Sequence, residues 1–155
     1  MNTKETNTHH SVPYLASRLI GGLKLGILLN IGSVLSVNAD THFVSLAGLD
    51  QSPYTNWQSA AVSIQSAVDA ASDNDDIVVS NGTYYLAAVI TVFKDVEVKG
   101  VAGRDLTIVD GNNVTGCFDL ERPNAILSGL TIRKGNASSG GGVYCQGGMV
   151  TNCLI

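Results

Sequence analysis

The side chains able to do chemistry in this chain are few and widely spaced. Asp110, Asp119 and Glu121 fall at turns and strand-like stretches, where a carboxylate can hold calcium or accept the hydroxyls of a sugar. Arg122, Arg133 and Lys134 follow close behind, and cations there could face an acidic polysaccharide. These six are the candidate carbohydrate-binding residues, and each is also consistent with a plain solvated surface charge. No spacing matches a metal-ligand motif, so no metal or cofactor is expected, and calcium has only these scattered carboxylates in its favour. The histidines are His9, His10 and His42, and none falls into a Ser/His/Asp or Cys/His constellation, so no catalytic residue is assigned. Ser138 to Gly142, SSGGG, lacks the Lys-Ser/Thr and helix of a phosphate loop and reads as a flexible turn. Asn-x-Ser/Thr sequons begin at Asn81, Asn113 and Asn136.

The elements that must position these residues are organised around Ala125 to Ile155. Leu127-Ser128-Gly129-Leu130-Thr131-Ile132 returns further along as Val150-Thr151-Asn152-Cys153-Leu154-Ile155. Gly129 and Asn152 occupy the same place, and both residue types take left-handed backbone most easily, so a shared sharp bend is expected there. A weaker copy, Val98-Lys99-Gly100-Val101, lies upstream, with Gly100 answering to Gly129. Irregular returns of this kind, built of short apolar strands and Gly/Asn bends, predict the coils of a parallel β-helix.

Stacking those coils predicts inward rows. Val98, Leu127 and Val150 form one, Val101, Leu130 and Cys153 a second, and Ile132 and Ile155 a third; Leu120 and Cys145 share another. Further strands are expected at Ile77-Val78-Val79, Val89 to Val92, Val96-Glu97-Val98, Leu106-Thr107-Ile108 and around Phe118 and Leu120. Cys117, Cys145 and Cys153 are an odd number, and the inward placing of the last two predicts buried free thiols rather than a disulfide.

Ahead of the coils, Thr41 to Leu46 alternates like a short strand. From Asn56 the period changes, and Trp57, Ala61, Ile64, Val68 and Ala71 mark one face of a helix with Thr55 or Asn56 as its N-cap. Asp73 to Asp76 would end it. Such a helix has a physical use, because the open end of a β-helix exposes apolar core and unpaired strand edges. Further upstream, Leu25 to Ser36 is an apolar run ending in Val37-Asn38-Ala39, the pattern of a secretory signal peptide cleaved after Ala39. The run is too short for a membrane span. The expected organisation is therefore a leader over 1–39, a first strand and capping helix over 40–76, and coils over 77–155 that stop inside a repeat, as in a piece of a longer protein.

Composition agrees with a strand-and-turn protein: 45% hydrophobic, 14% charged, 17 glycines. Net charge is −4, and without the leader it becomes −6, which disfavours a nucleic-acid partner.

The stretches AVSIQSAVDAASDNDDIVVSNGTYY, VEVKG, LSGLTI and SGGGVYC…VTNCLI resemble secreted proteins of the pectin-lyase-like superfamily. The GGGVYC and NCLI pieces are similar to repeats of polymorphic outer-membrane proteins. The resemblance covers about residues 41 to 155 and implies an all-β, right-handed parallel β-helix with an N-terminal capping helix. It does not select a function, because that superfamily includes lyases, hydrolases and adhesins alike. Its lyases and hydrolases carry their acidic, calcium-binding and arginine residues on middle coils, and no position here matches them. Two functions follow as expectations. One is a secreted or cell-surface module with a structural or adhesin-like binding role, its partner a polysaccharide or other surface ligand. The other is the N-terminal part of a pectate-lyase-like polysaccharide lyase or glycoside hydrolase, inactive as it stands.

Overall fold

The computed structural model describes residues 38–155. The leader assignment, 1–39, therefore lies outside the described residues except for Asn38 and Ala39. Eleven strands and one helix follow in the order β1 (Thr41–Val44), α1 (Ile64–Ala70), β2 (Asp76–Val79), β3 (Gly82–Tyr85), β4 (Ile90–Val92), β5 (Glu97–Gly100), β6 (Thr107–Asp110), β7 (Phe118–Leu120), β8 (Ile126–Ser128), β9 (Thr131–Arg133), β10 (Val143–Cys145) and β11 (Met149–Thr151). Every strand pairing is parallel. The strands form three sheets, β1-β2-β5-β8-β11, β3-β6-β9 and β4-β7-β10. Each circuit of the chain visits all three in turn, so the protein is a parallel β-solenoid of about three coils.

The core is built from rows rather than from any one coil. Ile77, Val98, Leu127 and Val150 stand in register on the first sheet, as expected for the last three. Tyr84, Val109 and Ile132 form the row on the second sheet. On the third, Val92, Leu120 and Cys145 align. Thr131 bridges Leu154, which puts Ile155 beside Ile132. Gly129 at φ 63° and Asn152 at φ 49° both take the left-handed bend that their matching places in the repeat implied. At Gly129 a Cβ would also lie 3.0 Å from the Gly100 carbonyl oxygen, so glycine serves both the turn and the close stacking there.

Three expectations are corrected. Val101 does not join the row of Leu130: it is 57% exposed. After β5 the chain swings outward through a turn in which the Gly103 amide donates to Gly100 O, and it enters the second sheet only at Thr107. The same detour shifts the phase of the next strand, so Thr107 and Val109 point inward while Leu106 is 58% exposed. Cys145 keeps its row but is exposed, because β10 is an edge strand of its sheet and no described element covers it as α1 covers the opposite edge at β4.

Helix α1 is shorter than its apolar period predicts. Ala61 bridges Val44, with its amide donating to Phe43 O at 2.9 Å and its carbonyl accepting from Ser45 N at 2.8 Å. Satisfying that strand edge keeps residues 60–61 extended and delays the helix to Ile64, with Ser63 as the N-cap accepting from the Ser66 amide at 3.1 Å. Asn56 caps only a local turn, accepting from the Ser59 amide. Trp57 packs edge-on against Phe43 on the outer surface, with centroids 4.7 Å apart. The helix buries Ile64, Ala67 and Val68 against the first coil.

Two side chains finish this cap. Gln65 Oε1 accepts from the Thr91 amide at 2.8 Å, while its Nε2 donates to Asp69 Oδ1 at 2.8 Å and to Thr91 O at 3.3 Å. Its amide thus stands in for a missing neighbour strand along the edge of β4. Lys94 Nζ donates to the carbonyls of Val68, Asp69 and Ala71, satisfying orphan acceptors at the C-terminus of α1.

Replacing Leu127 by Asp puts an unpaired charge into a fully buried row and should cost about 4 kcal/mol or more. Thr131→Asp, on the outward side, should cost about 1 kcal/mol, mostly the hydrogen bond to Arg104 O. Urea unfolding of the two variants checks the difference, and equal losses would contradict the inward assignment. Thr107 is fully buried, and its hydroxyl has no partner among the described residues. Thr107→Val keeps the shape and removes that hydroxyl, so it should raise stability by about 1 kcal/mol, read as a higher urea midpoint.

Candidate functional site

Alternation on the third sheet determines what faces outward. Phe118 and Leu120 point into the core, so Asp119 between them points out, and the register carries Thr91 and Tyr144 to the same outer row. The row runs Thr91, Asp119, Tyr144 across β4, β7 and β10. Tyr144 leaves 45% of its surface exposed. Asp119 has one long contact, from Gln146 Nε2 at 3.4 Å, which leaves most of its carboxylate free to accept further bonds.

Two stacked loops wall the Asp119 and Tyr144 end of this row into a groove with a cavity of about 490 Å³. One wall is the turn at Val114, Thr115 and Gly116; the other is 136–140. Asn136 joins them, its amide donating to Thr115 O and its Nδ2 to Asn113 O, both at 2.8 Å. The glycines flanking the second wall are packed rather than free. Gly141 O accepts from the Cys117 amide at 3.0 Å, and a Cβ on Gly135 would lie 1.7 Å from that same oxygen. The SSGGG stretch is therefore a fitted connection that leads β10 into register beside β7. The groove combines one aromatic ring beside a carboxylate with several small hydroxyl and amide side chains. That combination suits a hydroxyl-rich ligand, with the ring to stack on and polar groups to orient it.

Of the six residues singled out from the sequence, only Asp119 lines this groove. Asp110 is wholly buried, so it is neither a solvated charge nor able to meet a ligand. Its Oδ1 accepts from the Asn112 amide at 2.9 Å, and Oδ2 accepts from Arg133 Nε at 2.8 Å with Lys134 Nζ at 3.5 Å. Burial alone would raise the Asp110 carboxyl; the Asn112 amide and the Arg133 and Lys134 charges outweigh it and hold the group below the usual carboxylate range. Arg133 and Lys134 are thereby engaged in anchoring the turn after β6. Arg122 lies 3.8 Å from both Asp73 and Asp95, bridging the connections that precede β2 and β5. Glu121 is exposed one residue past β7 and outside the groove lining.

The sequence reading passed over a buried polar cluster at the first strand. His42 points inward from β1, its Nδ1 2.7 Å from Pro53 O and its Nε2 3.1 Å from Asp75 Oδ2. Asp75 also accepts from the Asp40 amide at 2.8 Å and the Ser72 amide at 2.7 Å. Burial works to raise the Asp75 carboxyl, and these amides together with His42 bring it below its ordinary value. The cluster ties the start of β1 to the turn before β2. Its signal was available, since the inward phase of β1 that carries Val44 also carries His42.

The cysteines are all free: Cys117 buried, Cys153 half-buried, Cys145 exposed. Burial pushes the Cys117 thiol upward, away from the reactive thiolate. Among the described residues, no group of three or more His, Cys, Asp or Glu side chains could hold a metal ion. Among the same residues, no helix is long and apolar enough to cross a membrane.

Fold and groove together define a parallel β-solenoid with a ligand-sized outer cleft on one sheet. Comparison with protein-family models, curated proteins and solved structures gave no match.

Asp75 and Asp110 both have lowered folded-state values, so each contributes stability that is present above the unfolded value near 4 and lost as pH falls through the lowered one. Thermal midpoints should therefore fall as the pH drops below about 4. Asp110→Asn should lower the midpoint at neutral pH and flatten that acid slope. A variant as acid-sensitive as the parent would remove Asp110 from the account.

Proposed function

We propose that the protein is a secreted or cell-surface parallel β-helix module that binds carbohydrate without transforming it. The observation carrying this reading is the pair Asp119 and Tyr144, neighbours in register on adjacent strands, along a walled groove. An exposed ring beside a free carboxylate offers a sugar one apolar face to stack on and one strong acceptor for its hydroxyls. A right-handed, pectin-lyase-like coil related to the repeats of polymorphic outer-membrane proteins accords with the GGGVYC and NCLI stretches. Export accords with the apolar run ending in Val37-Asn38-Ala39.

Binding without turnover is favoured by the chemistry of the groove. Glycoside hydrolysis uses two carboxylates on opposite sides of the scissile bond, one to protonate the leaving oxygen and one to attack or to activate water. Among the described residues, Asp119 is the one carboxylate of the lining. It can orient a sugar but cannot fill both roles.

Native gel electrophoresis through immobilised polysaccharides tests the proposal with the full chain. Retention is expected on at least one glycan, and Tyr144→Ala should abolish it while leaving the thermal midpoint within a few degrees. Incubation with the retained glycan should release no new reducing ends and no unsaturated product. Release of either product would replace the binding module with a hydrolase or lyase.

A further inference from the structure

The groove's charge carries the reading further, to the class of glycan it takes. Among the described residues, no lysine or arginine lines it, and its single carboxylate is Asp119. The cations of the described residues are placed elsewhere. Lys94 caps α1, Lys99 lies between Asp76 and Glu97, and Arg122 bridges Asp73 and Asp95. Arg133 and Lys134 sit on the buried Asp110, and Arg104 belongs to the turn between β5 and β6. A polyuronate would bring a carboxylate on every sugar to a site that offers it a fixed negative charge and no counter-charge. Over 77–155 the acidic and basic side chains are equal in number, so the charge a ligand meets in the groove is set locally, by Asp119.

What the groove does offer is neutral in character. Asn136, Ser138, Ser139 and Thr115 supply uncharged donors and acceptors around its rim, and Val89 and Val114 supply apolar contact next to the Tyr144 ring. The Asp119 carboxylate accepts from pairs of hydroxyls, as uncharged sugars present them, and these charge-assisted bonds are stronger than neutral ones. From this distribution we infer that the groove selects neutral glycans and rejects polyuronates. The inference rests on the carbohydrate-binding reading above and adds the ligand's charge to it.

Asp119→Asn separates the alternatives by sign. The full chain and this variant are titrated with neutral hexasaccharides of the cellulose, xylan and chitin types, and with polygalacturonate and alginate, at low and high salt. For a neutral ligand, the parent should bind with little dependence on salt, and the variant should bind about tenfold more weakly for loss of a charge-assisted bond. For a polyuronate the parent should show no binding. Polyuronate binding by the parent, or neutral-glycan affinity that D119N leaves unchanged or raises, would overturn the inference while leaving a glycan-binding groove in place. Binding of neither class by a folded parent, judged by its cooperative thermal transition, would overturn the carbohydrate reading and this inference together.

Discussion

Everything in this molecule depends on in-register stacking of inward aliphatic rows between parallel coils. A single coil cannot bury Ile77, Val98 or Leu127, because its own three short strands lie around the perimeter and leave the side chains meeting only in the middle. The neighbouring coil covers them, at roughly 1.5–3 kcal/mol per fully buried aliphatic side chain before conformational entropy is counted. Register is therefore tightly held. A one-residue slip would turn each row outward and bring the polar set of the strands into the core. The left-handed bends at Gly129 and Asn152 serve this constraint, returning successive coils to the same corner.

The same constraint makes the first coil a problem, since only β1 is stacked on its far side, at β2, and β3 and β4 have no strand there. Three local devices meet it. α1 covers the apolar end, Gln65 occupies the backbone groups of the β4 edge, and Lys94 closes the carbonyl end of the helix. The His42–Asp75 cluster adds a fourth tie between β1 and the turn before β2. Each bond is modest on its own, about 1 kcal/mol net for a neutral pair. Their combined value lies in blocking an edge that would otherwise pair with another chain.

Neighbours, rather than alternation, separate the two kinds of charge. Asp119 and Asp110 both follow an inward residue, but Asp119 is left free in a groove, whereas Arg133 and Lys134 fold over Asp110 and bury it. A buried lone carboxylate would be costly, and Asp110 is tolerable because an amide and two cations meet it. Arg133 and Lys134 are committed to that task. The result is a groove whose formal charge comes from one acid alone, and a ligand must be read against that.

The sequence by itself determined the architecture. Apolar residues at alternate positions, returning once per coil with Gly or Asn at the bend, suffice for a parallel solenoid because both the alternation and the bend are local backbone preferences. It also marked Asp119 as outward between two apolar neighbours. Tertiary structure alone decided the rest. Whether Val101 or Thr107 enters the core depended on an outward turn whose length the pattern does not encode, and whether α1 starts at Asn56 or Ile64 depended on a strand edge at Val44 that needed Ala61. Tyr144 and Asn136 became groove residues only when the register of β10 against β7 brought them beside Asp119, and Asp110 left the candidates only when Arg133, a coil further along the chain, folded over it. Period and backbone preference act within a few residues and can be read along the chain. Exposure and charge pairing are set by neighbours a whole coil away, and those appear only once the coils have stacked.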